Sequence, residues 1–213
     1  MTKLSLRLQT IFDLLQPSET FADVGCDHGY QANAMLESGK CKFAYITDIS
    51  AECLAKAEEL LSKNFIGKFK SIVTDGLKNV PKVDQALIAG MGGEIICDVL
   101  KNADFLPNRL VLQPMKNSEK VRETVINLGY KVLRDYTFKD EKYYDVIVLE
   151  KGEDVYSADE LTFGRDNLKE KNTAFIEVIS KRISVLQKAM PSMKDEEKEN
   201  TNKLILKLSE IIK

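Results

Sequence analysis

The chain has 213 residues, of which 44% are hydrophobic and 30% are charged, and its formal net charge is −2. This composition is typical of a globular protein with a sizeable buried core, and it argues against intrinsic disorder. It also lacks the strong excess of basic residues that would by itself indicate a nucleic-acid-binding protein.

Targeting and metal-binding signals are weak in this sequence. No run reaches the roughly 18 apolar residues that a membrane helix needs, and Arg7 interrupts the apolar start, so no signal-peptide core is recognisable. We therefore expect a cytoplasmic protein with no membrane partner. The four cysteines form no CxxC pair and there is one histidine, so we expect free thiols and no metal site.

Hydrophobic periodicity predicts that helices and strands alternate along the first 128 residues. The predicted helices cover residues 4–15, about 30–37, 51–63, 94–101 and 118–128, and the predicted strands cover residues 20–24, 43–47, 70–74, 85–89 and 109–112. This alternation predicts a parallel sheet with helices on both faces.

The next two predicted strands break the alternation. Residues 130–138 and 143–150 are separated by only four residues, which is too few for a crossover helix, so these strands must be antiparallel. Five parallel strands followed by an antiparallel hairpin give the predicted fold class, an α/β, Rossmann-like sheet that resembles the seven-stranded sheet of class I methyltransferases.

After Gly152 the composition shifts toward Lys, Glu and Asn. Apolar residues then recur at coiled-coil spacing, namely Ile176, Ile179, Ile183, Leu186 and Met190, and the pattern resumes over residues 201–211. We predict two domains, a sheet domain of residues 1–152 and a helical hairpin or coiled coil of residues 153–213. The apolar seam could close within one chain or pair two chains, and we favour a monomer.

The loop after the first predicted strand reads Asp23-Val24-Gly25-Cys26-Asp27-His28-Gly29. Asp27 stands where a GxGxxG dinucleotide motif has its middle glycine, and a carboxylate there would repel a pyrophosphate. S-adenosylmethionine carries a sulfonium and an ammonium but no phosphate. We therefore predict S-adenosylmethionine rather than NAD as the cofactor, with a tight turn and a helix-capping Asp as the alternative.

Three further strand ends complete the predicted cofactor site, because ligands of open parallel sheets bind beyond the carboxyl ends of the strands. We expect Asp48 to hold ribose hydroxyls, Asp75 to contact the adenine amino group, and the glycine-rich run after Ile88 to approach the ligand closely. The full set is Asp23, Gly25, Cys26, Asp27, His28, Asp48, Ile49, Asp75, Gly76, Ala89, Gly90, Met91 and Gly92. Helix capping and turn formation remain alternatives for Asp48 and Asp75.

Seven sequence blocks carry a resemblance to a known family. They are Leu4-Ser5-Leu6-Arg7-Leu8, Asp23-Val24-Gly25-Cys26-Asp27-His28-Gly29-Tyr30, Asp75-Gly76-Leu77, Ile88-Ala89-Gly90-Met91-Gly92-Gly93, Leu112-Gln113-Pro114, Tyr143-Tyr144-Asp145-Val146 and Leu161-Thr162-Phe163-Gly164. Together they resemble the bacterial tRNA (adenine-N(1))-methyltransferases that act on position 22 of the tRNA D-loop. This chain departs from the family pattern at Cys26, Gly29, Asp48 and Met115, where the family usually has Ser, Ala, Glu and Asn.

The resemblance implies that the ring nitrogen N1 of a tRNA adenine attacks the methyl group of the cofactor, giving a cationic base. Positioning and nearby carboxylates would then dominate catalysis. The expected catalytic residues are Asp27, which would stabilise the developing charge, and Gln113 and Tyr30, which would orient the base. The expected contacts to tRNA phosphates are Arg7, Lys116, Lys120, Arg122, Arg165, Lys169 and Lys171.

Three other functions fit parts of the sequence. A methyltransferase for a small molecule fits the near-neutral charge but leaves the C-terminal helical hairpin without a role. A tRNA-binding protein with an inactive donor pocket fits the replacement at Met115. A nicotinamide oxidoreductase conflicts with Asp27 and with the terminal antiparallel hairpin.

Overall fold

The computed structural model describes residues 3–213 and is organised around a seven-stranded sheet. Its strands are β1 (Ser18–Val24), β2 (Cys41–Asp48), β3 (Phe69–Val73), β4 (Gln85–Met91), β5 (Arg109–Pro114), β6 (Tyr130–Lys139) and β7 (Tyr143–Lys151). Their order across the sheet is β3-β2-β1-β4-β5-β7-β6. β7 runs antiparallel to both of its neighbours, and every other pair of neighbours is parallel.

Helices connect the strands and extend the chain beyond the sheet. They are α1 (Leu6–Leu14), α2 (Tyr30–Glu37), α3 (Ala51–Ser62), α4 (Gly93–Lys101), α5 (Ser118–Asn127), α6 (Ala158–Phe163), α7 (Arg165–Glu170), α8 (Thr173–Ala189) and α9 (Asp195–Ile211), with a 3-10 turn over Met190–Ser192. Because each parallel crossover carries its helix to one face of the sheet, both faces are covered.

Two separate hydrophobic cores lie on the two faces of the sheet. Along β1, Phe21 packs with α1, α2 and α3, whereas its neighbour Ala22 packs with α4 and α5 on the opposite face. Along β4, Leu87 and Ile88 divide between the same two cores. This alternation follows from the two-residue period of a strand, and burial on both faces explains the nearly continuous apolar runs of the central strands.

The strand order reverses between β1 and β4. Strands β2 and β3 lie on one side of β1, whereas β4 and β5 lie on its other side. At such a switch point the loops after neighbouring strands diverge to opposite faces and leave a crevice at the carboxyl edge of the sheet. The crevice lies at the end of the first strand, where the sequence predicts the cofactor site.

Several predicted boundaries were wrong by a few residues. α1 begins at Leu6 rather than residue 4, because Ser5 caps it by accepting a hydrogen bond from the Leu8 N–H. β4 continues to Met91, with a register shift between Ala89 and Met91, so Gly90 and Met91 belong to a strand rather than to a loop. α9 begins at Asp195, six residues before residue 201, because its first turn is acidic and shows no apolar period.

The short helices α6 and α7 were not predicted, and they lie along the outer edge of β6. Three backbone N–H groups on this edge, those of Val132, Asp135 and Thr137, donate to the side chains of Asp154 (3.0 Å), Asp166 (3.1 Å) and Asn167 (2.8 Å). These side chains protect an edge strand that would otherwise offer unpaired backbone groups.

The predicted domain boundary after Gly152 remains a prediction, and these edge contacts lead us to propose a later one. We assign residues 153–172 to the sheet domain on these contacts and begin the helical unit with α8, and Phe163 of α6 joins the two by packing in the core that α8 and α9 form. In that unit Phe175 and Ile179 of α8 pack against Leu208 of α9, and all three are at most 3% exposed. The seam predicted from coiled-coil spacing therefore closes within the chain.

Candidate active site

A cavity of about 570 Å³ opens at the carboxyl edge of the sheet, above the ends of β1, β2 and β4. Twelve of the thirteen predicted cofactor residues line it, Gly92 being the exception. The predicted residues Arg7 and Tyr30 line it as well. Sequence reasoning missed eight further lining residues: Leu8, Val24, Gln31, Thr74, Leu87, Ile95, Val99 and Met115.

The loop after β1 is held tightly against the sheet. The N–H groups of Gly25 and Cys26 both donate to the Thr47 carbonyl on β2, at 2.8 and 3.0 Å. Gly25 has a φ of +66°, and a Cβ there would collide with the Met91 side chain. Glycine adopts this left-handed φ without strain and leaves space for the Met91 side chain, so Met91 can lie directly beside the loop backbone in the cavity.

Asp23 lies at the base of the cavity and is 5% exposed. Its Oδ2 accepts a hydrogen bond from the Ala32 N–H of α2 (3.1 Å). Burial raises the pKa of Asp23 to about 7, and the Ala32 hydrogen bond offsets only part of this rise. Among residues 3–213 no ion pair to Asp23 occurs, so its charged form lacks the partner that a buried carboxylate normally requires.

Asp48 and Asp75 occupy the side of the cavity nearer β2 and β3. Asp48 accepts hydrogen bonds from the N–H groups of Ser50 (2.9 Å) and Asp27 (3.4 Å), so it shapes the first loop as well as the start of α3. Asp75 lies 3.4 Å from Lys78 in an exposed ion pair. Ile49, 76% exposed, presents an apolar side chain at the rim.

Asp27, His28 and Tyr30 form the outer wall. Asp27 adopts a left-handed conformation with φ +48°, which a non-glycine residue adopts at a cost. Its carboxylate is exposed and lies 3.7 Å from the His28 Nε2. The His28 and Tyr30 rings are 5.5 Å apart, and Tyr30 is 41% exposed.

The prediction that Gln113 contacts the target base was wrong. Gln113 is fully buried and does not line the cavity. Its Oε1 accepts from Arg7 Nη1 (2.8 Å), and its Nε2 donates to the Pro114 carbonyl (3.0 Å). The Arg7 backbone N–H also donates to Asp140 (2.9 Å). Gln113 therefore positions the Arg7 guanidinium at the cavity wall instead of touching a ligand.

Two predicted phosphate contacts are also corrected by the structure. Arg122 is 1% exposed, and its guanidinium binds Asp135 at 2.9–3.0 Å and the Leu161 carbonyl at 3.1 Å, so tRNA cannot reach it. Arg165 donates to Asp154 (3.0 and 3.1 Å) and Glu160 (2.8 Å), so its charge is already compensated within the protein.

The other predicted basic residues remain accessible. Lys116 and Lys169 are exposed, Lys171 is half-buried, and Lys120 is exposed with Glu94 3.7 Å away. Beside Lys116 lies a second depression of about 340 Å³, which we call the α8 groove, between the β5–α5 loop and α8. Its lining includes Lys116, Asn117, Tyr143 and Arg182, and it shares Met115 with the cavity.

The sequence held signals for two residues of the α8 groove that were not predicted as site residues, Arg182 and Tyr143. Arg182 belongs to a run with more basic than acidic residues between Arg165 and Lys188. Tyr143 belongs to one of the family-like blocks. Neither signal places the residue beside the β5–α5 loop, because that proximity depends on how α8 packs against β6.

The strand order and the cavity at the switch point define a Rossmann-like methyltransferase sheet. Two solved structures share it over the whole chain. A protein of the NADB-Rossmann superfamily from Streptococcus agalactiae has a TM-score of 0.91 at 26% identity, covering 100% of this chain and 98% of that one. The M. capricolum enzyme TrmK, in complex with S-adenosylhomocysteine, has a TM-score of 0.88 at 25% identity, covering 99% and 98%.

The family follows from the sequence match. The profile of the TrmK family, tRNA (adenine(22)-N(1))-methyltransferase, matches residues 21–213, and the chain belongs to this family. The tRNA (adenine(22)-N(1))-methyltransferase of Bacillus subtilis is 29% identical over 187 residues, which is 82% of this chain and 79% of that enzyme. A putative tRNA methyltransferase of Mycoplasma pneumoniae is 30% identical over 149 residues, covering 67% and 68%.

Within residues 3–213 no helix has the length and apolar character to cross a bilayer. The same range contains no group of three or more His, Cys, Asp or Glu side chains arranged to hold a metal ion. All four cysteines are free thiols.

Proposed function

We propose that this chain methylates N1 of adenine 22 in tRNA, with S-adenosylmethionine as the methyl donor. The charge of the cavity carries the proposal, because its lining includes four carboxylates, Asp23, Asp27, Asp48 and Asp75, and a single guanidinium, that of Arg7. Such a lining disfavours the phosphates of a dinucleotide and favours a cationic nucleoside. Membership of the family supports the tRNA substrate, and a tRNA substrate supports a cytoplasmic location for the reaction.

The residues present fit this cofactor. The cavity volume of about 570 Å³ lies within the usual range for small-molecule sites. We assign the ribose hydroxyls to Asp48, the adenine to the Asp75 and Ile49 side, and the amino-acid end to the Asp23 side. The buried carboxyl of Asp23 supports the last assignment, since a ligand cation would supply the charge partner that the protein does not.

Catalysis then depends on orientation and charge. S-adenosylmethionine supplies a methyl group activated by its sulfonium, and N1 of adenine carries the lone pair that accepts it, so no base has to act before the attack. We assign Asp27 to stabilise the positive charge that develops on the adenine. Tyr30 presents its ring to the target base at the mouth of the cavity, and Gln113 acts indirectly by holding Arg7.

We propose that the tRNA backbone lies along the α8 groove. The adenine must leave the stack to enter the cavity, and the shared Met115 makes groove and cavity continuous. Lys116, Lys120, Lys169 and Arg182 are the exposed cations that we assign to phosphates nearby. We further infer a monomeric enzyme, which the intrachain closure of α8 on α9 supports.

Methyl transfer from labelled S-adenosylmethionine to unmodified tRNA tests the function directly. We expect label in 1-methyladenosine after nucleoside analysis, and no label when adenine 22 of the same tRNA is replaced by guanine. The substituted tRNA is the matched control, because it keeps the length and charge of the substrate. Tight donor binding without transfer to any tRNA would refute the substrate assignment and leave the cofactor assignment standing.

A further inference from the structure

Gln31 lies in the cavity wall, and the oxygen of its side-chain amide makes no hydrogen bond. It is the second residue of α2 and is 4% exposed. Its Nε2 donates a hydrogen bond to the Leu8 carbonyl of α1 at 2.7 Å. Its Oε1 is buried and has no hydrogen-bond partner. Buried side-chain acceptors are nearly always paired in proteins, so an unpaired one in a cavity wall points to a ligand.

The Leu8 contact fixes which group of the amide is free. The Leu8 carbonyl only accepts, so the nitrogen of Gln31 must face it and the oxygen must face away. Within residues 3–213 one other buried side-chain atom lacks a partner, Arg109 Nε, and Arg109 does not line this cavity. Gln31 Oε1 is thus an acceptor in the cavity wall that lacks a hydrogen bond, so its partner must be a donor.

A buried carboxyl without a charge partner, that of Asp23 at the end of β1, is hydrogen-bonded to the same helix. The Asp23 carboxyl binds the N–H of Ala32, the residue that follows Gln31, and has no ion pair in the described chain. A neutral N–H donor would satisfy Gln31 but would leave the charge of Asp23 uncompensated. An ammonium, with three N–H donors and a positive charge, satisfies both groups at once.

We propose that Gln31 Oε1, together with Asp23, binds the α-ammonium of the amino-acid end of S-adenosylmethionine. This inference rests on the proposed function and assigns a donor-binding residue to it. It also predicts selectivity, since ligands with the same nucleoside and carboxylate but without the ammonium leave Gln31 Oε1 unpaired and Asp23 without a charge partner.

The test compares two ligands by isothermal titration calorimetry. The first is S-adenosylhomocysteine, and the second is its deaminated analogue, in which hydrogen replaces the α-ammonium. Gln31→Met keeps the length of the side chain and removes its amide. We expect Gln31→Met to weaken S-adenosylhomocysteine about ten- to a hundredfold, as for loss of a hydrogen bond to a charged group, and to leave the affinity for the deaminated analogue nearly unchanged.

Gln85→Met is the matched control. Gln85 is also a buried glutamine, 1% exposed, but it lies at the opposite end of β4 and its amide is paired with Gln16. We expect this variant to bind both ligands as the wild type does, and circular dichroism verifies that both variants are folded.

Two outcomes would overturn the inference. Equal weakening of both ligands by Gln31→Met would mean that Gln31 acts only by holding α1 through Leu8. Unchanged affinity for S-adenosylhomocysteine would mean that Gln31 does not contact the ligand. A wild-type protein that binds neither ligand would instead refute the proposed cofactor, so the two failures are distinguishable.

Discussion

The carboxyl of Asp23 affects both the folding stability of the protein and the proposed binding of the ligand. In the folded chain its pKa is raised from an ordinary value of 3.8 to about 7 by burial. Between these two values the folded protein holds a proton that the unfolded chain releases. Folding stability therefore falls as the pH rises through this window, and above pH 7 the full cost of the buried charge is present.

Asp23→Asn should consequently stabilise the free protein while impairing the site. At pH 8 we expect the free energy of unfolding to rise by on the order of 2–4 kcal/mol, because each pKa unit corresponds to about 1.4 kcal/mol. At pH 5 the gain should shrink, since Asp23 is then protonated in the folded state. Urea denaturation at pH 8 and at pH 5 measures the difference in the free energy of unfolding between variant and wild type. A variant less stable than the wild type at pH 8 would contradict the argument.

Asp48→Ala addresses the nucleoside end of the cavity. Asp48 receives the N–H groups of Ser50 and Asp27, so its loss removes both the proposed ribose contact and support for the first loop. We expect S-adenosylhomocysteine to bind about ten- to a hundredfold more weakly and tRNA to bind almost normally. Asp48→Asn, which keeps one acceptor oxygen and can retain the stronger Ser50 bond, is the control for support of the start of α3. Equal loss of tRNA binding in Asp48→Ala would count against a ribose role.

Asp27→Asn should separate chemistry from donor binding. Its exposed carboxylate makes no contact that the fold depends on, because the backbone N–H of Asp27 supplies the bond to Asp48. Removing its charge should lower kcat by about ten- to a hundredfold and change S-adenosylhomocysteine affinity little. Single-turnover methylation with saturating tRNA measures the first quantity, and calorimetry the second. A large loss of ligand affinity with unchanged kcat would reassign Asp27 to donor binding.

The residues found from sequence share one property: they are local to a strand end. The loop from Asp23 to Gly29 could be recognised because its glycines and carboxylates stand close together in the chain. Gln31 and Gln113 could not be interpreted correctly, since their partners Leu8 and Arg7 are 23 and 106 positions away. Arg122 was misassigned for the same reason, because its burial depends on Asp135 across the sheet edge.

At the scale of elements, apolar periodicity predicted the helices and strands that are held by burial of apolar residues. It missed the helices that are held by polar contacts. The central strands β1, β4 and β5 and the helices that pack on them bury apolar residues. The short helices α6 and α7 instead have Ser157 and Gly164 as their N-caps and are held by polar contacts, α7 to β6 through Asp166 and Asn167 and α6 to Arg122 through its Leu161 and Thr162 carbonyls. They contain too few apolar residues to show a helical period, so periodicity could not separate them from the helical hairpin.

Two truncations test where the sheet domain ends. A chain ending at Asn172 keeps the three side chains that cover the β6 edge, and it should fold and bind S-adenosylhomocysteine. A chain ending at Gly152 loses them, and Arg122 loses its bonds to the Leu161 and Thr162 carbonyls. It should lose several kcal/mol of stability or fail to fold, because unpaired buried polar groups each cost about 1–3 kcal/mol. Urea denaturation of both fragments measures this, and equal stability would restore the boundary at 152.

At the scale of the whole molecule, charge is divided between two adjoining surfaces. The cavity is predominantly acidic, which suits a cationic cofactor, and the α8 groove beside it carries the exposed cations Lys116 and Arg182. A net charge of −2 conceals this division. The overall composition could therefore exclude a strongly basic protein but could not exclude a local nucleic-acid surface.

Charge reversal in the groove should affect tRNA binding alone. We expect Lys116→Glu and Arg182→Glu each to weaken tRNA binding and to reduce the slope of log affinity against log salt by about 0.7–0.9 if the residue neutralises one phosphate. S-adenosylhomocysteine affinity should not change, because neither side chain lines the cavity. Fluorescence anisotropy over a salt series measures the slope.

Lys42→Glu is the matched control for these two variants. Lys42 is exposed on β2 near the opposite edge of the sheet and pairs with Glu19 at 2.7 Å. It changes the net charge by the same amount, so it reports any effect of total charge on tRNA association. If Lys42→Glu lowers the salt slope as much as the groove variants do, tRNA is attracted by overall charge and the α8 groove is not its path. If only the groove variants lower it, the phosphates lie between the β5–α5 loop and α8, beside the cavity that the adenine must enter.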